Sequence, residues 1–118
     1  MSESLITGEI LIPANTKIAD TAVAYVHLLD TSRADAASTV ISEQVIANVA
    51  TKLSRGERIK FVLYGEIQNP QASYSVSVHI DVDADGQVGV GDYINVQSYP
   101  VATFGYPSHV EVKTVMVK

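Results

Sequence analysis

Apolar and polar residues alternate with a period of two along most of this chain, and no stretch repeats apolar residues at helical spacing for three turns. The pattern is clearest where Tyr74, Val76, Val78 and Ile80 alternate with serines and His79. Successive side chains of a β-strand point to opposite faces, so this pattern is typical of half-buried strands. The chain is therefore predicted to consist of strands, with at most one short helical turn at residues 33–38.

About seven such segments at this length predict an all-β fold, an antiparallel two-sheet β-sandwich, with a partly closed β-barrel as the alternative. One domain over residues 1–118 is the expected organisation. The predicted strands, each bounded by turn residues, cover residues 6–12, 22–29, 39–49, 59–66, 73–80, 93–101 and 109–117.

The best alternating faces also predict which side chains form the core. Residues 22–29 are apolar on both faces, which favours a central strand covered on both sides. The predicted core members are apolar residues of these faces, namely Tyr25, Phe61, Leu63, Val76, Val78 and Ile80.

Composition and motifs exclude several classes of function. The formal net charge is -5 and the eight Lys and Arg residues form no basic stripe, which argues against a nucleic-acid partner. The sequence has no Cys, which excludes disulfides and cysteine-based catalysis or metal sites. No Gly-x-Ser-x-Gly motif or glycine-rich phosphate loop is found, so an enzyme is not expected. Residues 1–4 show no signal or anchor, which favours the cytoplasm, or the periplasm if a leader is missing.

The strongest local signal is an acidic run, DVDADGQVGVGD, at residues 81–92. Carboxylates occupy its first, third, fifth and twelfth places, and Gly86 lies where a calcium loop turns sharply. Calcium prefers six to eight oxygen ligands, including a backbone carbonyl at place seven. The spacing predicts a calcium site formed by Asp81, Asp83, Asp85, Gln87 and Asp92.

A metal-free hairpin is the alternative interpretation of this run. Asp85-Gly86 is a turn dipeptide, and Asp side chains beside turns often accept hydrogen bonds from their own backbone. The flanking residues are β-formers, so a helix-loop-helix calcium fold is excluded. The three histidines, His27, His79 and His109, lack the short spacing of a zinc site.

Aromatic residues cluster late in the chain, at Tyr93, Tyr99, Phe104 and Tyr106. Such a cluster could bind a peptide. Tyrosine is also common in strands and at sandwich corners, which favours a role in capping one end of the core.

Four segments carry a family resemblance: LDTSRAD at 29–35, ISEQVI at 41–46, YSVSVHI at 74–80 and QSYPV at 97–101. Together they resemble the YbaY-like bacterial lipoproteins, which are related to the type III secretion lipoprotein chaperones, or pilotins. The resemblance runs from about Ile10 to Val115 and implies a non-enzymatic β-sandwich. In the pilotin branch it also implies binding to a segment of an outer-membrane secretin. Neither a leader nor a lipid-bearing Cys is present, so a membrane span or lipid anchor is not expected in this chain.

The predicted function is a non-enzymatic binding module with a calcium-type acidic loop. The module would present a sheet edge or a loop patch to a protein partner. The alternative is a purely structural domain whose acidic loop is a metal-free hairpin. Within the resemblance, Arg33 and Asp35 match the family motif, and they are interpreted as a turn ion pair or a cap rather than as a binding site.

Overall fold

The computed structural model describes residues 4–13, 18–32, 39–67 and 69–118. Strands dominate these residues, and the prediction of an all-β fold is confirmed. In chain order the elements are β1 (Ser4–Leu11), β2 (Val23–Asp30), β3 (Thr39–Ile46), α1 (Val49–Ser54), β4 (Ile59–Tyr64), β5 (Tyr74–Asp81), β6 (Tyr93–Ile94), β7 (Pro100–Val101), β8 (His109–Lys113) and β9 (Val115–Met116).

The strands form two separate sheets, so the sandwich is confirmed and the barrel alternative is wrong. The smaller sheet has the order β4-β1-β8, and the larger has the order β3-β2-β5-β6-β9, with β7 also paired to β5. One pairing corrects the expectation of wholly antiparallel sheets, because β1 and β8 run parallel with Thr7 opposite His109. Parallel neighbours need a long connection, and these two strands lie at opposite ends of the chain.

The inner faces of both sheets contribute to one hydrophobic core. Phe61 on β4 is almost fully buried, and its ring lies over Gly8 of β1. A Cβ at Gly8 would approach the Phe61 ring to 2.5 Å and the Val110 carbonyl oxygen to 2.2 Å, so only glycine fits there. The predicted core residues on β4 and β5 are buried, namely Phe61, Leu63, Val76, Val78 and Ile80.

Strand β2 corrects two predictions. Its buried side chains are Ala24, Val26 and Leu28, whereas Tyr25 lies on the opposite face and is half-buried. There the Tyr25 ring stacks on His79, with centroids 6.1 Å apart. The assignment of Tyr25 to the core and the prediction of a strand covered on both faces were therefore wrong. Both faces of this strand carry apolar residues, so alternation alone could not tell which face the other sheet covers.

The ends of two predicted strands also differ from the prediction. The helix α1 replaces the predicted end of the third strand and buries Val49, whereas the predicted helix at 33–38 lies outside the described residues. The last predicted strand divides into β8 and β9 at Thr114, whose backbone N–H and hydroxyl both donate to the Leu11 carbonyl oxygen at 2.9 Å. There the chain passes from the smaller to the larger sheet. Within the described residues, no helix has the length and apolar character needed to cross a bilayer.

Candidate functional site

The hairpin between β5 and β6 brings the ends of the acidic run together. Strand β5 ends at Asp81, and the two strands pair at His79 with Ile94 and at Ile80 with Tyr93. Asp81 and Asp92 therefore lie side by side at the base of the hairpin, and both are buried. Carboxylate oxygens of the four predicted aspartates all lie within 4.8 Å of one another: Asp81, Asp83, Asp85 and Asp92.

Asp81 organises the first turn of this loop. Its carboxylate accepts hydrogen bonds from the backbone N–H of Gly86 at 2.7 Å and of Asp85 at 3.3 Å. Gly86 has a φ of +80°, which a residue with a Cβ adopts only with strain. Asp85 in turn accepts the Gln87 N–H at 2.9 Å. Gln87, whose backbone carbonyl is the fifth predicted ligand, lies in the exposed part of the loop together with Asp83 and Asp85.

Asp92 closes the other side of the loop and has a partner that the sequence prediction missed. Its carboxylate accepts the N–H groups of Val82 and Gly89, both at 3.0 Å, and the Nε2–H of His79 at 2.8 Å. His79, Asp81 and Asp92 also form a cluster with possible ligand atoms within 4.8 Å of one another. The only sequence signal for His79 was its place two residues before Asp81 on the same strand, because alternate residues share a face.

The pKa values of three carboxylates in the loop shift in different directions: those of Asp81 and Asp92 are lowered and that of Asp83 is raised. Burial works to raise the pKa of Asp92, but hydrogen bonds from His79, Val82 and Gly89 outweigh it and hold that pKa below its usual value. For Asp81, burial acts in the same way and the N–H groups of Gly86 and Asp85 lower the pKa overall. Partial desolvation, a hydrogen bond to Asp81 and the charge of Asp85 together raise the pKa of Asp83.

This geometry is compatible with both interpretations of the acidic run. Four converging carboxylates are the oxygen ligands that a hard cation prefers. Asp81 and Asp92, however, already accept backbone N–H groups, so they also hold the turn as acceptors without any ion. Asp83 and Asp85 are exposed and are the two carboxylates most open to a cation from solvent.

The aromatic cluster divides between the core and the surface. Tyr93 is buried, and Tyr99 packs against the core while its hydroxyl accepts the Lys113 N–H at 2.8 Å. Phe104 and Tyr106 are 62% and 50% exposed. The predicted role in capping the core therefore fits Tyr93 and Tyr99 but not Phe104 and Tyr106. Arg33 and Asp35 of the family motif lie outside the described residues.

Comparisons with known proteins place this fold in a family. The family model "Type III secretion system lipoprotein chaperone (YscW)" matches residues 1–114. A solved structure of an alternative pilotin from the type II secretion system of Vibrio cholerae is 30% identical, with a TM-score of 0.77. The match covers 100% of this chain and 99% of that chain. No curated protein matches the chain. The predicted relation to the type III chaperones is confirmed, and the chain belongs to the YscW family of type III secretion system lipoprotein chaperones.

Proposed function

We propose that this chain acts as a pilotin, a non-catalytic protein that binds a segment of an outer-membrane secretin on the periplasmic side of that membrane. The observation that carries the proposal is similarity over the whole chain, at 30% identity, to a pilotin of known structure. The match of the chaperone family to residues 1–114 supports the same role. A β-sandwich suits it, because its sheet faces and edges offer extended binding surfaces.

The chemistry of the buried polar groups supports a non-catalytic role. In the described residues these are Asp81, Asp92, Thr103 and Thr114. Each is engaged in holding the backbone: Thr103 donates to the Ala72 carbonyl at 2.7 Å, and Thr114 donates to Leu11. Catalytic groups in contrast are usually held with a reactive atom facing a cavity. These side chains therefore serve to join loops and strands.

Co-expression with the secretin of the same bacterium tests this function. We expect the secretin to co-purify with the tagged chain and both to be found in the envelope fraction after cell fractionation. A secretin from an unrelated secretion system serves as the control and should not co-purify. A tagged, folded chain that never retains its own secretin would contradict the proposal.

We further propose that the loop at residues 81–92 binds calcium. Support comes from the four carboxylates, whose oxygens converge to within 4.8 Å. Asp83 and Asp85 would supply exposed oxygens, and Asp81 and Asp92 would share theirs with backbone donors. Because Asp92 replaces the longer Glu usual at the twelfth place, we expect a Kd of roughly 0.1–1 mM, as in extracellular modules.

A calcium titration of chelator-treated protein tests this second proposal. Calcium at one hundred times Kd adds about 2.7 kcal/mol to the free energy of unfolding if it binds only the folded state. Asp83→Asn should weaken binding, and Glu111→Gln, a matched change on the smaller sheet, should not. If calorimetry detects no binding heat and the melting temperature does not move in millimolar calcium, the metal-free hairpin is the correct interpretation.

A further inference from the structure

The loop between β7 and β8 begins with a turn that residues with side chains seldom adopt. The backbone N–H of Thr103 donates to the Val101 carbonyl oxygen at 2.8 Å, and Ala102 between them has a φ of +72°. A three-residue turn with positive φ at its centre is rare and strained. Thr103 is buried, and its hydroxyl donates to the Ala72 carbonyl oxygen at 2.7 Å. The core therefore holds this turn in place through Thr103.

A second turn follows directly and places one aromatic ring in solvent. The N–H of Tyr106 donates to the Thr103 carbonyl oxygen at 3.1 Å, and the two residues that it spans, Phe104 and Gly105, have φ values of +57° and +80°. Such a turn favours Asn-Gly or Gly-Gly, and a bulky residue at positive φ costs roughly 1–3 kcal/mol. Burial does not offset this cost, because Phe104 is 62% exposed. Strain of this kind is concentrated at functional sites.

Phe104 and Tyr106 line a pocket at the end of the larger sheet where β5 begins. Its volume is about 260 Å³, which is below the roughly 300–1,000 Å³ of pockets for drug-sized ligands. It therefore suits a small ligand or one unit of a longer one. Among the described residues, none that lines the pocket is charged, and residues 93–108 contain no Asp, Glu, Lys, Arg or His. A charged ligand would find no partner of opposite charge there.

The polar groups of this pocket are hydroxyls with unused hydrogen-bonding capacity. The Ser75 Oγ accepts the Tyr99 N–H at 3.3 Å, which leaves its own O–H to donate. The Thr31 hydroxyl donates to the Ser73 carbonyl oxygen at 3.4 Å, which leaves its lone pairs to accept. Within the part of the chain that the structure describes, the hydroxyls of Ser73 and Ser98 make no hydrogen bond. The pocket thus offers both donors and acceptors.

The backbone around the pocket offers few groups for pairing with a peptide. The N–H of Thr31 donates to the Ser73 carbonyl oxygen at 2.9 Å, and the N–H of Ser73 donates to the Ser32 Oγ at 2.8 Å. The N–H of Val76 donates to the Tyr99 carbonyl oxygen at 3.1 Å. An added strand needs free backbone groups, and a purely apolar ligand would leave the hydroxyls without partners. Both classes of ligand fit less well than a small, neutral, polar one.

We propose that this pocket binds one ring of a neutral saccharide. Hydroxyls of the sugar exchange hydrogen bonds with the Ser and Thr side chains, and an apolar C–H face of the sugar ring packs on the exposed rings of Phe104 and Tyr106. A free oligosaccharide and the glycan of a cell wall share this chemistry. The inference goes beyond the proposed function and does not rest on it.

An NMR titration of the full chain tests the ligand class with three probes: chitotriose, a trimer of galacturonic acid and a peptide of eight prolines. We expect millimolar chitotriose to give saturable shifts at residues 98–106 and to bind about tenfold more tightly than the charged trimer, because the protein has a net charge of -5 and the pocket has no cation. No shifts, or equal binding of the charged trimer, would overturn the proposal. Tighter binding of the proline peptide would also overturn it, because that result indicates a groove for extended peptides.

Substitution of the exposed rings tests the pocket. Phe104→Asn creates the Asn-Gly pair that this turn favours, so the melting temperature should rise while chitotriose affinity falls about tenfold. Tyr106→Ala should weaken binding to a similar degree. Tyr64→Ala is the matched control, because it removes a ring that is 56% exposed outside the pocket, and it should change affinity less than about twofold. Unchanged binding in the two pocket variants, or an equal loss in Tyr64→Ala, would overturn the assignment.

Sedimentation with insoluble cell-wall glycan distinguishes the two sources of the sugar. If the glycan retains the wild type and not Phe104→Asn, the ligand is the polymer, and if only chitotriose binds, it is a free oligosaccharide. Both results support a saccharide site. Equal retention of the wild type and Phe104→Asn, together with no binding of chitotriose, would overturn the proposal.

Discussion

The two outer sheet faces of this sandwich differ sharply in chemistry. On the smaller sheet Glu9 lies opposite both Lys60 and Glu111, and the Arg58 guanidinium donates to the Glu9 carboxylate at 3.1 Å. Acidic and basic groups are thus mixed, as on an ordinary wet sheet surface. The larger sheet has Val45, Tyr25, His79, Ile94 and Val115 in one line, and its strands carry carboxylates without Lys or Arg.

The difference indicates that the two outer faces have different roles. A mixed-charge face keeps a protein soluble and has little effect on folding stability. An apolar line on the outer side of a sheet is better matched to a partner molecule than to water. Stability should therefore come from the core that the two sheets share, and recognition should come from one face only. Each of the following changes tests a part of this division.

The largest effect is expected in the shared core. Phe61→Ala should lower the free energy of unfolding by about 3–5 kcal/mol, because it removes a buried ring and leaves a cavity in the core. Urea denaturation followed by circular dichroism measures the change. A loss below about 1 kcal/mol would show that the shared core does not dominate folding stability and would contradict the assignment of stability to the core.

Asp92→Asn tests whether the acidic loop also contributes to folding. Asp92 is buried and accepts three hydrogen bonds, so replacing its charged oxygen by an amide N–H should cost about 1.5–3 kcal/mol in metal-free buffer. Because the folded pKa values of Asp81 and Asp92 are lowered, their contribution is present above the unfolded value of about 3.9 and is lost as the pH falls through the lower folded values. The raised pKa of Asp83 opposes this trend. Urea melts of both proteins between pH 6 and pH 2 should show a shallower loss in the variant, and equal profiles would contradict the assignment.

Gly8→Ala tests the contact that joins the two ends of the chain inside the core. The added Cβ would clash with the Val110 carbonyl oxygen and the Phe61 ring, so β8 must move away from β1 at a cost of about 1–3 kcal/mol. Gly89→Ala is the matched control, since a Cβ there meets no atom within 4 Å. Thermal denaturation of both variants in chelator distinguishes them, and equal melting temperatures would refute the close packing of β1 on β8.

The smallest effect is expected on the charged face. Arg58→Ala removes the ion pair with Glu9, but the Arg58 side chain is 71% exposed, so the change should stay within about 1 kcal/mol. If this substitution destabilised the protein as much as Gly8→Ala, the charged face of the smaller sheet would contribute as much to folding stability as the core contact does.

Alternation predicted much of the fold because it is a property of single strands. The segments that became β1, β2, β4 and β5 were placed to within a few residues, and five of the six predicted core residues are buried. The helix α1 was missed because its six residues are too few to show a helical period. The division of the last strand at Thr114 was missed because the cause is a hydrogen bond to Leu11, which is distant in sequence.

The acidic loop shows a similar limit at the candidate site. The spacing of Asp81, Asp83, Asp85 and Asp92 predicted that they would converge, and they do. It did not predict that Asp92 would accept a hydrogen bond from His79, because that contact depends on the register of β5 against β6. Gln87, predicted to contribute its backbone carbonyl, lies in the exposed part of the loop directly after the turn at Gly86.

The sequence by itself determined the strand content, the acidic run and the family resemblance, because each is written in local spacing and residue type. Only the tertiary structure decided which face of β2 is buried, that β8 lies parallel to β1, and that Val45, Tyr25, His79, Ile94 and Val115 form one row. These features depend on strand order and register, which arise when side chains far apart in the chain pack into one core. A strand with apolar residues on both faces can bury either face, and the face that the second sheet packs against is the one that becomes buried.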